Sequence, residues 1–323
     1  MISSYSITSL PVLGEKEVKH MKTPVFTGSA VAIVTPFAQG GVDEKKLRQL
    51  VDFHIQNETD AIVVCGTTGE ASTMPDTEHL RTIQIVVEQV NGRLPVIAGT
   101  GSNDTVHGAK LTAEASAIGA DALLIVTPYY NKASQEGLFR HYEALSKATD
   151  KPIILYNVPS RTNLNIAPST IARLMNIANI VGVKECNLLQ VPEVAYLCGD
   201  NAVLYSGEDG VVVPMLSMGA KGVISVVANV MPALMSRMVH SFFDGDLKNA
   251  AQIQADIVPL VQALFSDVNP IPVKEALNIL GWNVGSCRLP LCDMSAEGHA
   301  KLRTVLNLYD LSFHNTYTAG GLA

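Results

Sequence analysis

"SAVAIVTPF", residues 29–37, is an aliphatic run that ends in Thr-Pro-Phe. In an open, doubly wound α/β sheet the first strand usually runs into a glycine-rich phosphate loop. Here Thr35, Pro36 and Phe37 stand where those glycines would be. Seven runs of the same kind follow: "AIVVCG" (61–66), "PVIAGT" (95–100), "ALLIVTP" (122–128), "PIILYN" (152–157), "IVGVKE" (180–185), "AVLYSG" (202–207) and "GVISVV" (222–227). Near-continuous aliphatic runs mark parallel strands covered on both faces. Between them lie amphipathic stretches of helical length, at 43–57, 75–90, 104–118, 134–148, 167–176, 189–198 and 208–218. The first opens on Asp43, a good N-cap. Eight strands, each followed by a helix, is the count of a (β/α)8 TIM barrel, and the missing phosphate loop disfavours the open sheet.

The barrel is expected over 25–245, with 232–243 as its eighth helix. Residues 246–323 read as a C-terminal helical extension, with helices at 247–265, 271–281 and 295–312 and a frayed "HNTYTAGGLA" at the end. Residues 1–24 lack the basic start and long apolar core of a secretion signal. They read as a disordered extension, with Met21 an alternative start.

Of the 323 residues, 47% are hydrophobic and 16% charged, which suits a compact enzyme and excludes a disordered chain. The net charge of −7 gives no footing to a nucleic-acid binder, and a small anionic substrate would need a local basic site. No apolar run reaches the length of about 18 residues that suggests a membrane span. The five cysteines include no CxxC pair and read as reduced thiols in a cytoplasmic protein. Cys186 has no histidine beside it in sequence and is not expected to be a nucleophile.

A barrel carries its chemistry at the C-terminal ends of its strands. Those ends read "GTTGE" (66–70), "GTGSN" (99–103), "TPYYN" (127–131), "YNVPSRT" (156–162), Lys184–Glu185 and "SGED" (206–209). They are rich in hydroxyls and hold no cluster of His and carboxylates at metal spacing. Lysine is almost never buried without a partner, so Lys184 at the end of a buried strand stands out. An amine in a poorly solvated barrel mouth is disfavoured as ammonium, and a neutral amine makes a Schiff base with a carbonyl. The bland alternative is a lysine snorkelling to Glu185, but neighbours along a strand point to opposite faces. Schiff-base chemistry needs a proton shuttle, and Tyr156 on the adjacent strand suits that role, although a strand tyrosine is commonly a core or rim aromatic. Thr67 and Thr68 offer hydroxyls to a carboxylate, or form an ordinary turn. Arg161 can bind a second carboxylate with its two-pronged guanidinium, or form a surface ion pair.

"GTTGE", "TPYYN", "YNVPSRT", "VGVKE" and "GVISV" occur in this order, and together the chain resembles the dihydrodipicolinate synthase family over about residues 25–312. The resemblance implies a class I aldolase-like lyase of lysine and diaminopimelate biosynthesis. It would join pyruvate to L-aspartate-4-semialdehyde without a cofactor or metal. Lys184 would form the pyruvate Schiff base and Tyr156 would move the protons. Thr67 would complete a relay with Tyr130 supplied by a neighbouring subunit, within a homotetramer. Thr68 and the backbone of Ile224 would hold pyruvate, and Arg161 the second carboxylate. Sister enzymes, such as N-acetylneuraminate lyase and keto-deoxy sugar acid aldolases, share the lysine and tyrosine but tend to have a small or polar residue at the place of Arg161. A barrel kept only for binding is disfavoured by the intact set.

The resemblance also implies a feedback cleft for lysine. Asn103, His79 and Tyr129 match the pattern of lysine-sensitive members. Ala71 replaces a serine, Asp76 a histidine and His107 a glutamate. Loss of the glutamate removes the anion that would face an ammonium group, so weak or absent lysine inhibition is expected.

Overall fold

The computed structural model describes residues 21–309 and 311. The expected N-terminal extension lies outside the described residues up to position 20, as does the stretch expected to fray at the C-terminus. Eight parallel strands close into a barrel in chain order: β1 (Gly28–Ala32), β2 (Ala61–Val64), β3 (Val96–Gly99), β4 (Ala122–Val126), β5 (Ile153–Asn157), β6 (Ile180–Glu185), β7 (Val203–Ser206) and β8 (Gly222–Ser225). β8 pairs with β1, which completes the ring. The expected TIM barrel is therefore the fold.

Each strand serves two packing layers because its side chains alternate faces. Ala30, Ala32, Ala61, Val63, Ile154 and Ile224 belong to the inner cluster. Val31, Ile62, Val64, Leu155 and Val223 belong to the larger cluster between strands and helices. This is why the runs read as continuously aliphatic. Phe26, just ahead of β1, fills the N-terminal side of the interior, with its ring stacked on Tyr205 at 4.4 Å. The Tyr205 hydroxyl donates to the Phe26 carbonyl at 2.9 Å, so the ring enters the core with its polar end satisfied.

The connecting helices are α1 (Glu44–Gln56), α2 (Asp76–Val90), α3 (Thr105–Ile118), α4 (Gln135–Ser146), α5 (Pro168–Leu174), α6 (Val191–Cys198), α7 (Val212–Ser217) and α8 (Pro232–Phe243). Asp43 caps α1, accepting from the Lys46 amide at 2.9 Å. Four helices follow: α9 (Leu247–Asp256), α10 (Val258–Leu264), α11 (Ile271–Ile279) and α12 (Ala296–Leu308). The single helix expected over 247–265 is thus two. The break falls at Ile257, where Pro259 near the start of α10 cannot donate to an unbroken helix. The first run is also shorter as strand than its aliphatic stretch: Phe37–Ala38 turns back on Gly41–Val42 as a small antiparallel ribbon. No helix among the described residues is long and apolar enough to cross a membrane.

Candidate active site

Lys184 and Tyr156 sit on adjacent strands, β6 and β5, as direct register partners. The Lys184 Nζ lies 4.4 Å from the centroid of the Tyr156 ring. Both are buried, at 6% and 7% exposure, so this amine has little water around it. The next pair along the two strands, Asn157 and Glu185, faces the other way. Glu185 accepts from Asn157 Nδ2 at 2.8 Å, from the Asn187 amide at 2.7 Å and from Gln190 Nε2 at 2.8 Å. Burial pushes the Glu185 carboxyl up to about 7 while these donors pull it down. Glu185 therefore belongs to a polar network behind the barrel wall and is not the lysine's partner, as strand alternation predicts.

Close packing brings β7 onto the lysine. A Cβ at Gly207 would collide with Cys186 Sγ and lie 3.3 Å from Lys184 Cε, so any larger residue would have to displace the Cys186 side chain. Burial pushes the Cys186 thiol up to about 12, which removes it as a nucleophile near neutral pH. Glu208 is raised by burial and by Asp209, and held back by its bond with Cys186 and by the cations Lys184 and Arg161. Glu208, part of the "SGED" strand end, carries no role in the sequence reading, yet its carboxyl feels the charges of both Lys184 and Arg161.

Thr67, Tyr156 and Arg161 line a cavity of about 580 Å³ together with Gly99, Asn103, Tyr129, Asn269 and others. Lys184 is not part of that wall; it stands beside Tyr156, which is. Thr68 is 2% exposed, and its Oγ1 accepts from Asn269 Nδ2 at 3.0 Å. Arg161 Nη2 donates to the Asn269 carbonyl at 3.0 Å. Ile224 is buried in the inner cluster on β8. Tyr130 is set apart from the others. Thr68, Lys184 and Ile224 also lie outside the cavity wall but are buried, whereas Tyr130 is 88% exposed and holds a left-handed backbone with φ +74. A bulky residue in that region is uncommon, and such outliers gather at functional sites.

The "GTTGE" loop is held from several sides. Thr35 Oγ1 donates to the Gly69 carbonyl at 2.7 Å. Glu70 and Lys274 of α11 form a buried ion pair at 2.8 Å, with side-chain exposures of 1% and 2%. The Lys274 Nζ also donates to the Ser286 carbonyl at 2.9 Å, and the Arg288 amide donates to the second Glu70 oxygen at 2.8 Å. Sequence reasoning missed this latch.

At the far side of the cavity, Asp76 Oδ1 and His107 Nε2 are 2.9 Å apart. His107 Nδ1 lies 3.1 Å from Ser102 Oγ, and Lys110 stands 3.9 Å from Asp76. The His107 hydrogen bond holds the Asp76 carboxyl below the usual carboxylate range. His79 Nε2 lies 2.8 Å from the Gly99 carbonyl, and burial lowers its imidazole. Asp76 thus already has cationic or hydrogen-bonding company from its own chain.

Residues 25–308 match the dihydrodipicolinate synthetase family. The chain belongs to this family. Among its relatives, 4-hydroxy-tetrahydrodipicolinate synthase of Acetivibrio thermocellus is 50% identical over 291 residues, covering 90% of this chain and all of the relative. The enzyme of the same name from Trichlorobacter lovleyi is 53% identical over 289 residues, covering 89% of this chain and 100% of the relative. A crystal structure of chloride-inhibited dihydrodipicolinate synthase from Acinetobacter baumannii, complexed with pyruvate, superposes with a TM-score of 0.86. It is 42% identical, and the match covers 88% of this chain and 99% of that one. The family match takes in the whole closed barrel and α9–α12 up to Leu308, so the helical extension belongs to the same unit of descent.

Proposed function

We propose that the chain condenses pyruvate with L-aspartate-4-semialdehyde to 4-hydroxy-tetrahydrodipicolinate, in lysine and diaminopimelate biosynthesis, through an imine on Lys184. The observation that carries this reading is the buried register pair of Lys184 and Tyr156, with Arg161 beside it on the cavity wall. Lys184 Nζ adds to C2 of pyruvate, and loss of water leaves an iminium. The iminium takes up the electron pair when C3 gives up a proton, so C3 of the enamine attacks the aldehyde carbon. The amine of the second substrate then attacks C2, displaces Lys184 Nζ and closes the ring. Tyr156 carries protons at the reacting atoms, and Thr67 with Tyr130 relays them outward. Thr68 holds the pyruvate carboxylate, and the Ile224 backbone contacts pyruvate. Arg161 takes the carboxylate of the second substrate.

Support comes from relatives at about 50% identity that bear the synthase name, and from the pyruvate held by the Acinetobacter protein. The presence of Arg161 weighs against the sister sugar-acid aldolases. The test compares turnover of pyruvate plus aspartate-semialdehyde with cleavage of N-acetylneuraminate. Cleavage of the sugar acid alone would overturn the reading.

Arg161→Ala is expected to raise the apparent KM for the aldehyde and leave pyruvate capture intact. A lost charge-assisted, two-pronged contact costs on the order of 2–5 kcal/mol, a rise of about thirtyfold or more. Steady-state kinetics with the aldehyde varied, beside reductive trapping of pyruvate, checks both halves.

Tyr130 points the proposal beyond one chain. Its exposure, with Val106 at 79% and Tyr129 at 39%, gives an apolar rim suited to a subunit interface. The proposed assembly is a homotetramer in which each site borrows Tyr130 from a neighbour. Tyr130→Phe and Lys184→Ala chains, each inactive alone, should then regain activity when mixed and reassembled. Hybrids shown to form yet still inactive would argue for a site complete within one chain.

Lysine is expected to inhibit weakly or not at all. His107 stands where an anion would face the ligand's ammonium group, and Asp76 is already engaged by His107. Initial rates against L-lysine at saturating substrates provide the check. Strong inhibition below about 1 mM, an affinity near 4 kcal/mol, would contradict the expectation.

A further inference from the structure

Asn269 lies in the segment between α10 and α11, far in sequence from every strand end, and is 6% exposed. It nevertheless touches both carboxylate-binding groups of the proposed reaction. Its side chain donates Nδ2 to Thr68 Oγ1, and its backbone carbonyl accepts from Arg161 Nη2, each at 3.0 Å. Its Oδ1 is buried and has no hydrogen-bond partner. A buried amide left half-satisfied is a cost, and such groups call for an explanation.

A hydroxyl has one proton to give and two lone pairs to receive with. Because Thr68 Oγ1 already receives the amide proton, its own proton is free for another acceptor. A pyruvate carboxylate is that acceptor in the proposed reaction. The segment carrying Asn269 cannot drift from the "GTTGE" loop, since Lys274, five residues on, is bound to Glu70 of that loop at 2.8 Å. Asn269 and Lys274 thus fix the loop bearing Thr67 and Thr68, and the Asn269 carbonyl also reaches Arg161.

We propose that Asn269 is a positioning residue of the condensation: its side chain orients the Thr68 hydroxyl toward the pyruvate carboxylate, and its backbone carbonyl aims Arg161. The inference rests on the function proposed above. It separates the two substrates, because a side-chain substitution removes the Thr68 contact and keeps the carbonyl. Asn269→Asp preserves shape but cannot donate, so Thr68 must give its proton to the new carboxylate and loses it for pyruvate. Asn269→Ala only releases the hydroxyl to rotate.

The experiment measures the pyruvate concentration that half-saturates borohydride trapping, beside the KM for aspartate-semialdehyde, in the full-length protein. Asn269→Ala should raise the half-saturating pyruvate about threefold to tenfold, the worth of one net hydrogen bond. Asn269→Asp should raise it by about tenfold to a hundredfold, the range for a contact to a charged group. In Asn269→Ala the aldehyde KM should stay within about twofold of the original, since the carbonyl that meets Arg161 is kept and no charge is added. In a Thr68→Val background, Asn269→Ala should add nothing, because both act through one hydroxyl. Unchanged pyruvate saturation in Asn269→Asp, equal rises for both substrates in Asn269→Ala, or additive effects with Thr68→Val would each overturn the proposal. Absence of trapping in the unaltered protein would instead overturn the function on which it rests.

Discussion

Lys184→Ala is expected to lose covalent pyruvate capture and nearly all turnover. The expectation follows from the proposed mechanism, in which the iminium nitrogen supplies the electron sink. No other strand-end side chain in the barrel mouth carries an amine; Arg161 is a guanidinium, which stays protonated and is no nucleophile. Loss of a covalent nucleophile commonly lowers the rate by several orders of magnitude. Lys184→Arg separates charge from nucleophilicity, since it keeps a cation near Tyr156 and Glu208 without a free amine. It should be as inactive as the alanine variant. Substantial activity in Lys184→Arg would mean that the lysine acts only through its charge.

The second large effect is on stability. Lys274→Met should destabilise the fold by about 3–5 kcal/mol, the usual cost of leaving one member of a buried ion pair alone. The latch is almost fully enclosed, with Lys274 also set over the Phe37 ring at 4.5 Å. Removing the ammonium leaves the Glu70 carboxylate with two neutral donors, the Arg288 amide and the Cys287 thiol. Glu70→Gln combined with Lys274→Met removes the stranded charge and should recover much of the loss. Urea unfolding of the two single variants and the pair measures this directly. A Lys274→Met variant as stable as the original protein would mean that water reaches Glu70, contrary to the enclosed geometry.

What could be read from the residues depended on how local the signal was. The eight strands were legible because each is covered on two faces, so nearly every position away from the strand ends is apolar. Lys184 was legible for the same reason, as a charge where burial forbids one. The break at Ile257 was missed although Pro259 announces it, because the apolar pattern runs on across it. Lys274 reads as one more solvent-facing charge until its helical neighbours are placed. Ile271 and Leu277 lie three residues to either side, and both are buried, which puts Lys274 on the inner face of α11. That spacing was the available signal. Asn269 offered none: its partners are 201 and 108 residues away, and only the closed fold brings them together. Tyr130 was placed by its motif, while its exposure and left-handed backbone are properties of the folded chain.

The central claim is that pyruvate is held covalently on Lys184. Incubation with isotope-labelled pyruvate, reduction with borohydride and peptide mapping by mass spectrometry tests it most directly. One reduced pyruvate adduct per chain is expected, located on the peptide containing Lys184. A label on another lysine, or none on a protein that turns over both substrates, would contradict it.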